Sequence, residues 1–235
     1  MQRYFVKERN NNKFILEDSD IHHIKKVMRC TNNDKIEIVY ENKVYLCNID
    51  DIDNVKLSII DIYEEDRELN INLTVAISLV QEQKFDLILQ KLTELGVTSI
   101  IPIKTERSIV KIDQNKQEKK KIRWETICKE ASEQSHRTTI PIIYTPMTLK
   151  ELLENKKELN LICSLNEKTK PLQEYLTSEV KEILFVIGPE GGFTTKEEEF
   201  LIANNFKPTT LGKRVLRVET AAIYVASIIN YIYKG

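Results

Sequence analysis

The stretch Ile187-Gly188-Pro189-Glu190-Gly191-Gly192-Phe193-Thr194 packs three glycines into five positions of a chain that has six in 235 residues. Glycine adopts positive φ at little cost and lets a ligand approach the main chain closely. A P-loop requires a glycine where Phe193 stands, and a dinucleotide fingerprint requires one where Glu190 stands. Neither phosphate motif is present, and the Glu190 carboxylate would repel a phosphate. The loop suits a ligand held through neutral main-chain groups, one carrying positive charge included. A second loop, Leu211-Gly212-Lys213-Arg214-Val215-Leu216-Arg217-Val218-Glu219-Thr220, holds a fourth glycine and two arginines three apart. Arginine beside a helix N-terminus fits a polyanionic or electron-rich substrate, although each also reads as a surface ion pair.

Both loops join a buried strand to a helix. Residues 183–187 form a near-continuous apolar strand, and Thr194 or Thr195, each with Glu three residues on, caps the helix after it. Residues 208–211 lead in the same way to a final helix over 219–234. From residue 69 the whole chain alternates in this manner. Strands are predicted at 73–80, 99–104, 140–144 and 161–165, and helices at 85–95, 118–135, 149–153 and 171–176. Such a pattern predicts a parallel sheet covered on both faces, with ligands beyond the carboxyl ends of its strands. Residues 1–68 differ. Alternating β-branched segments at 35–40, 44–49 and 55–62 come after a short helix with Ile21, Ile24 and Met28 on one side. They predict a small β-barrel-like domain, so the expected division is 1–68 and 69–235.

The chain is 41% hydrophobic and 30% charged, with no apolar run of membrane-spanning length and no signal-peptide core at its N-terminus. A cytoplasmic location and no membrane partner are expected. Cys30, Cys47, Cys128 and Cys163 are far apart and only three histidines are present, so no metal site is expected. Net charge is −1, but basic residues concentrate between Lys104 and Arg137. That concentration reads either as a solvated helix face or as a phosphate-contacting strip.

GPEGGFT together with LGKRVLRVETAA resembles the C-terminal half of the RsmE family, SPOUT-class methyltransferases acting on the N3 of a uridine in 16S ribosomal RNA. QKFDLILQKLTELGV at 83–97, Glu106-Arg107-Ser108, Trp124 with Glu130-Ala131-Ser132-Glu133-Gln134-Ser135, Arg3-Tyr4-Phe5-Val6 and the His23–Arg29 helix extend the resemblance over essentially the whole chain. His136 stands where that family usually has glycine, and Met28 where it usually has leucine.

The resemblance implies an α/β SPOUT domain with a trefoil knot, preceded by a PUA-like RNA-binding domain, working as a homodimer on 16S ribosomal RNA within the small subunit. S-adenosylmethionine is expected in the knot against Leu165, Ile187, Gly188, Pro189, Glu190, Gly191, Gly192, Leu211, Gly212, Val215 and Leu216. Arg217 is the expected stabiliser of negative charge on the uracil ring. Glu219 orients it or serves as base, with Glu133 as another candidate. RNA contacts are expected from Arg3, Lys25, Lys26, Arg29, Arg107, Arg123, His136 and Arg137. Another SPOUT methyltransferase, acting on ribose or transfer RNA, and a non-catalytic RNA-binding module stand as alternatives.

Overall fold

The computed structural model describes residues 1–10, 13–167 and 170–233. The chain forms two compact units, Met1–Arg67 with Ser132–Thr139, and Glu68–Ala131 with Ile140–Gly235.

In the first unit the elements are β1 (Arg3–Phe5), β2 (Glu8–Asn10), β3 (Lys13–Ile15), α1 (Asp18–His22), β4 (Lys35–Tyr40), β5 (Lys43–Asp51) and β6 (Lys56–Tyr63). A four-stranded sheet runs in the order β1-β4-β5-β6, and β2 and β3 form a separate hairpin. Alternation along β4 and β5 turns Ile36, Ile38, Tyr45, Cys47 and Ile49 inward, where they pack with Tyr4 and Ile24. The predicted helix carrying Ile21, Ile24 and Met28 is interrupted. A π-helical turn, His23–Val27, succeeds α1, and the Met28 amide donates to the His23 carbonyl at 2.9 Å. The extra residue of a π turn rotates the side chains beyond it around the helix axis, so Ile24 is fully buried while Met28 is 46% exposed.

Segment 132–139 joins this unit through hydrogen bonds that no sequence pattern announces. The Phe5 amide donates to Glu133 at 3.2 Å, and the Arg3 guanidinium donates to the carbonyls of His136 and Arg137 at 2.7 and 3.1 Å.

The second unit contains β7 (Asn72–Ser78), α2 (Glu82–Glu94), β8 (Ser99–Lys104), α3 (Gln114–Gln134, its last turn within the first unit), β9 (Ile142–Ile143), β10 (Met147–Thr148), α4 (Leu149–Leu152), β11 (Leu159–Cys163), β12 (Glu182–Ile187), α5 (Thr195–Ala203), β13 (Lys207–Thr209) and α6 (Val218–Tyr233). All pairings are parallel, in the order β10-β8-β7-β12-β11-β13, with β9 also on β8. The strand predicted at 140–144 shrinks to two residues, and the helix predicted at 171–176 to one turn, Leu172–Glu174. Lys234, at the predicted end of the last helix, lies outside the described residues.

β12 is buried on both faces. Ile183 and Phe185 meet α2 and α6, whereas Leu184 and Val186 meet Leu152, Leu201 and Phe206. Full burial of such side chains contributes roughly 1.5–3 kcal/mol each, which anchors the strand end that carries the glycine turn.

β13 shows how the chain is threaded. On one side it pairs with β11. On the other it meets the connection leaving β11. There the Thr210 amide donates to Lys170 at 3.0 Å and the Tyr175 hydroxyl to Pro208 at 3.1 Å. α5, before β13, packs on one face of the sheet, and α6, after it, on the other. β13 therefore lies between β11 and the described part of that strand's own outgoing connection, the arrangement that the expected knot would need.

Candidate functional site

Three loops leave the carboxyl ends of the neighbouring strands β12, β11 and β13: 188–194, 164–167 and 210–217. The last two border a cleft of about 440 Å³, lined by Cys163, Ser164, Leu165, Glu167, residues 210–216 and Ala221. A smaller hollow of about 220 Å³ shares the Cys163-Ser164-Leu165 wall and adds Arg107, Asn166, Gly191, Gly192, Phe193, Thr195 and Glu198.

Each loop is held by its neighbours. In the glycine turn the Gly192 amide donates to Pro189 at 2.8 Å, with φ of +66° at Gly192. A Cβ there would lie 3.1 Å from Leu165 Cδ1, so Leu165 would have to shift by a few tenths of an ångström, and the positive φ itself favours glycine. Thr194 caps α5 by a reciprocal pair with Glu197, of the kind that contributes about 1 kcal/mol. Glu197 also accepts from the Glu106 amide at 2.8 Å. Glu198 binds the 164–167 loop, accepting from Ser164 Oγ and, at 2.8 Å, from Asn166 Nδ2. Ser164 Oγ in turn accepts the amides of Asn166 and Glu167 at 3.0 and 3.1 Å. Burial, reinforced by the Glu198 charge, pushes the Cys163 thiol up to about 12, so at neutral pH it is an unreactive apolar wall. In the third loop, Gly212 sits at φ +110° facing open space.

Of the expected cofactor residues, Leu165, Leu211, Gly212, Val215 and Leu216 line the cleft, and Gly191 and Gly192 line the hollow. Ile187 and Gly188 lie beneath, Ile187 buried in the core and Gly188 against the Phe193 ring. Pro189 supplies a turn carbonyl, and Glu190 forms an ion pair with Lys84 at 3.1 Å. Sequence reasoning passed over Ser164, Asn166 and Glu198. The only signal was a run of small polar residues after a buried strand, and Glu198 reads as one more surface glutamate.

Arg217 is exposed, and its guanidinium has no partner among the described residues. Its carbonyl accepts the Ala221 amide at 2.8 Å, which opens α6. Glu219 lies in the first turn of that helix, where a carboxylate is favoured by the helix dipole. Its Oε2 is buried and lacks a hydrogen-bond partner among the described residues.

The expected RNA contacts separate into groups. Arg3 is fully buried and Arg137 is 4% exposed, which corrects both: neither reaches a phosphate from inside the first unit. His136 Nδ1 lies 3.3 Å from Glu37. Lys26 and Arg29 are exposed, whereas Lys25 is half-buried and donates to the Asp53 carbonyl at 2.7 Å. Arg123 is committed to Asp86 and Glu82 on α2. Arg107 is turned onto the glycine loop, donating to the carbonyls of Gly191 and Phe193 at 2.8 and 3.2 Å.

Residues 67–230 match the family model described as an RNA methyltransferase domain, and residues 16–61 the RNA methyltransferase PUA domain. The ribosomal RNA small subunit methyltransferase E of Bacillus subtilis is 34% identical, over 98% of this chain and 96% of that protein. Its counterpart in Mesomycoplasma hyopneumoniae is also 34% identical, over 96% and 97%. The crystal structure of the Neisseria gonorrhoeae enzyme of that name, bound to S-adenosyl methionine, superposes with a TM-score of 0.89 at 30% identity. It covers 99% of this chain and 98% of its own. The expected architecture, a PUA-like domain before a parallel-sheet methyltransferase domain, is thereby borne out. This chain belongs to the ribosomal RNA small subunit methyltransferase E family.

Proposed function

We propose that the protein transfers the methyl group of S-adenosylmethionine to N3 of a uridine in the 16S ribosomal RNA of the small subunit. The observation that carries this reading is the meeting of three loops, two of them glycine-bearing, around a cleft and hollow at the carboxyl ends of adjacent strands.

The residues present fit such a cofactor. Leu165, Leu211, Val215, Leu216 and Ala221 offer apolar walls for an adenosine, and the loop backbones offer neutral donors and acceptors. The orphaned Glu219 oxygen, two residues before Ala221, is a buried acceptor that a ligand donor or Arg217 can satisfy. When bound, the cofactor supplies a sulfonium-activated methyl group. The protein's part is to align an acceptor with it, exclude water and offset the negative charge that develops on the uracil ring. Arg217 is the proposed stabiliser, with Glu219 orienting it or taking the proton. Lys26 and Arg29 on the PUA-like unit are the proposed phosphate contacts.

A homodimer is the proposed working unit. On α6, Tyr224 is 44%, Tyr231 73% and Ile232 40% exposed, an apolar edge that a second copy would cover. Sedimentation at micromolar concentration tests this, and a monomer would refute it. The activity is tested by incubating labelled S-adenosylmethionine with small-subunit RNA and assembled subunits, then digesting to nucleosides for mass spectrometry. 3-Methyluridine is expected. A 2′-O-methylated nucleoside, or RNA binding without transfer, would overturn the proposal.

A further inference from the structure

We infer that the smaller hollow is the subsite for the acceptor base, and that Arg107 supplies a second guanidinium for the oxygens of its ring, in addition to Arg217. This deepens the proposed methyl transfer to uridine and rests on it.

Size and position come first. A base paired or stacked in RNA hides its N3, so it must leave the stack to be methylated there. The hollow of about 220 Å³ has room for one pyrimidine ring and little of the attached sugar. It shares the Cys163-Ser164-Leu165 wall with the larger cleft, so a ring inside it lies next to a donor bound there. The two spaces differ in character. Leucine, valine and alanine side chains make up much of the cleft, beside Glu167, Lys213 and Arg214, whereas Arg107, Asn166, Thr195 and Glu198 predominate over Leu165 and Phe193 in the hollow.

The hydrogen-bonding inventory suits uracil. Arg107 uses only Nη1 on the carbonyls of Gly191 and Phe193, leaving Nε and Nη2 without partners among the described residues. Those bonds fix the direction of the guanidinium before any ligand arrives. Asn166 gives its amide nitrogen to Glu198, leaving its carbonyl oxygen as an acceptor. Uracil presents two carbonyl oxygens flanking an N–H. Cytosine presents an amino group in place of one of them, opposite a guanidinium that can only donate, and a site built for one pattern rejects the other strongly.

The chemistry needs a cation here. The N3–H bond breaks and its proton passes to Glu219 or, through it, to water, leaving the electron pair on the ring, shared with both oxygens. That pair forms the N–CH₃ bond as the methyl–sulfur bond breaks, and the electrons of the broken bond stay on sulfur as a neutral thioether. An arginine that cannot lose its own proton stabilises the ring anion throughout.

The test begins with wild-type enzyme and its mapped target position. Absence of methyl transfer would defeat the functional reading itself. Given transfer, RNA carrying 4-thiouridine at that position is irradiated with the enzyme and the demethylated cofactor, and crosslinked peptides are sequenced. Adducts on peptides containing Arg107, Asn166 or Phe193 are expected. Adducts confined to the 210–217 loop or to the first unit would overturn the assignment. In parallel, Arg107→Gln removes the charge but keeps an amide donor for the Gly191 carbonyl. Its kcat should fall at least tenfold, with cofactor affinity within threefold of wild type. The deficit should narrow as pH rises, because the ring then loses its proton unaided. A deficit constant across pH, or matched by lost cofactor affinity, would reduce Arg107 to a loop clamp and overturn its role.

Discussion

Arg3 Nε donates to Glu37 Oε2 at 2.9 Å inside the first unit, where the arginine has no exposed surface. The same guanidinium reaches Glu65 at 2.8 Å. The Tyr63 hydroxyl donates to the other Glu37 oxygen at 2.8 Å. Removing one partner of a buried pair leaves the other charged and unsatisfied. Arg3→Ala should therefore lower unfolding free energy by about 3–5 kcal/mol, measured by urea denaturation. The salt dependence of RNA binding by the remaining folded protein should be unchanged, since Arg3 does not meet phosphate. A reduced salt slope with undiminished stability would reverse this assignment.

The same cluster sets the acid limit of the fold. Burial pushes the Glu37 carboxyl up, but hydrogen bonds from Tyr63 and Arg3, with the Arg3 and His136 charges, outweigh it and hold the group below the usual carboxylate value of 4.5. Glu65 is held low in the same way, against its burial, by Arg67 and Arg3. A carboxylate whose folded value is depressed stabilises the protein above its unfolded value, and that stability is lost as pH falls through the folded value. Melting temperature should thus hold steady above about pH 5 and fall progressively below it. In Glu37→Gln the acid-dependent part of that fall should shrink, on a lower starting stability.

Gly192 and Leu165 form a matched pair across two loops. Gly192→Ala would place a methyl group 3.1 Å from Leu165 Cδ1, at a φ of +66° that side chains resist. Cofactor affinity, measured by titration calorimetry, should fall at least tenfold, on the order of 1.4 kcal/mol, with near-wild-type circular dichroism. Adding Leu165→Ala removes the clash but not the backbone strain, so it should restore only part of that loss. Gly212→Ala has strain without a clash, and its effect should be the smaller of the two.

Arg217 is exposed and unpaired among the described residues. Arg217→Ala should abolish methyl transfer, a loss of at least a hundredfold or about 2.7 kcal/mol, while S-adenosylmethionine binds within threefold of wild type. Wild-type turnover in that variant would remove the residue from the mechanism.

The alternating apolar strands and capped helices made the parallel sheet legible from residues 72 to 233, because periodicity and capping are local properties. The two glycine loops were legible for the same reason: Gly188, Gly191, Gly192 and Gly212 are a large share of a scarce residue, placed after buried strands. Side-chain direction was not. Arg3 and Lys26 look alike in sequence, yet one is sealed in a core and the other faces water. Arg107 reads as a phosphate contact, but it lies on the Gly191 carbonyl, 84 positions away. The bond from Glu198 to Ser164 depends on α5 and β11 being brought together, and so does the passage of β13 beside Lys170. Local pattern determined which elements form and where a ligand loop can lie. Only the folded chain decided which charges pair, which are buried and which strand β13 lies beside, because those partners are distant in sequence and each choice depends on all the others.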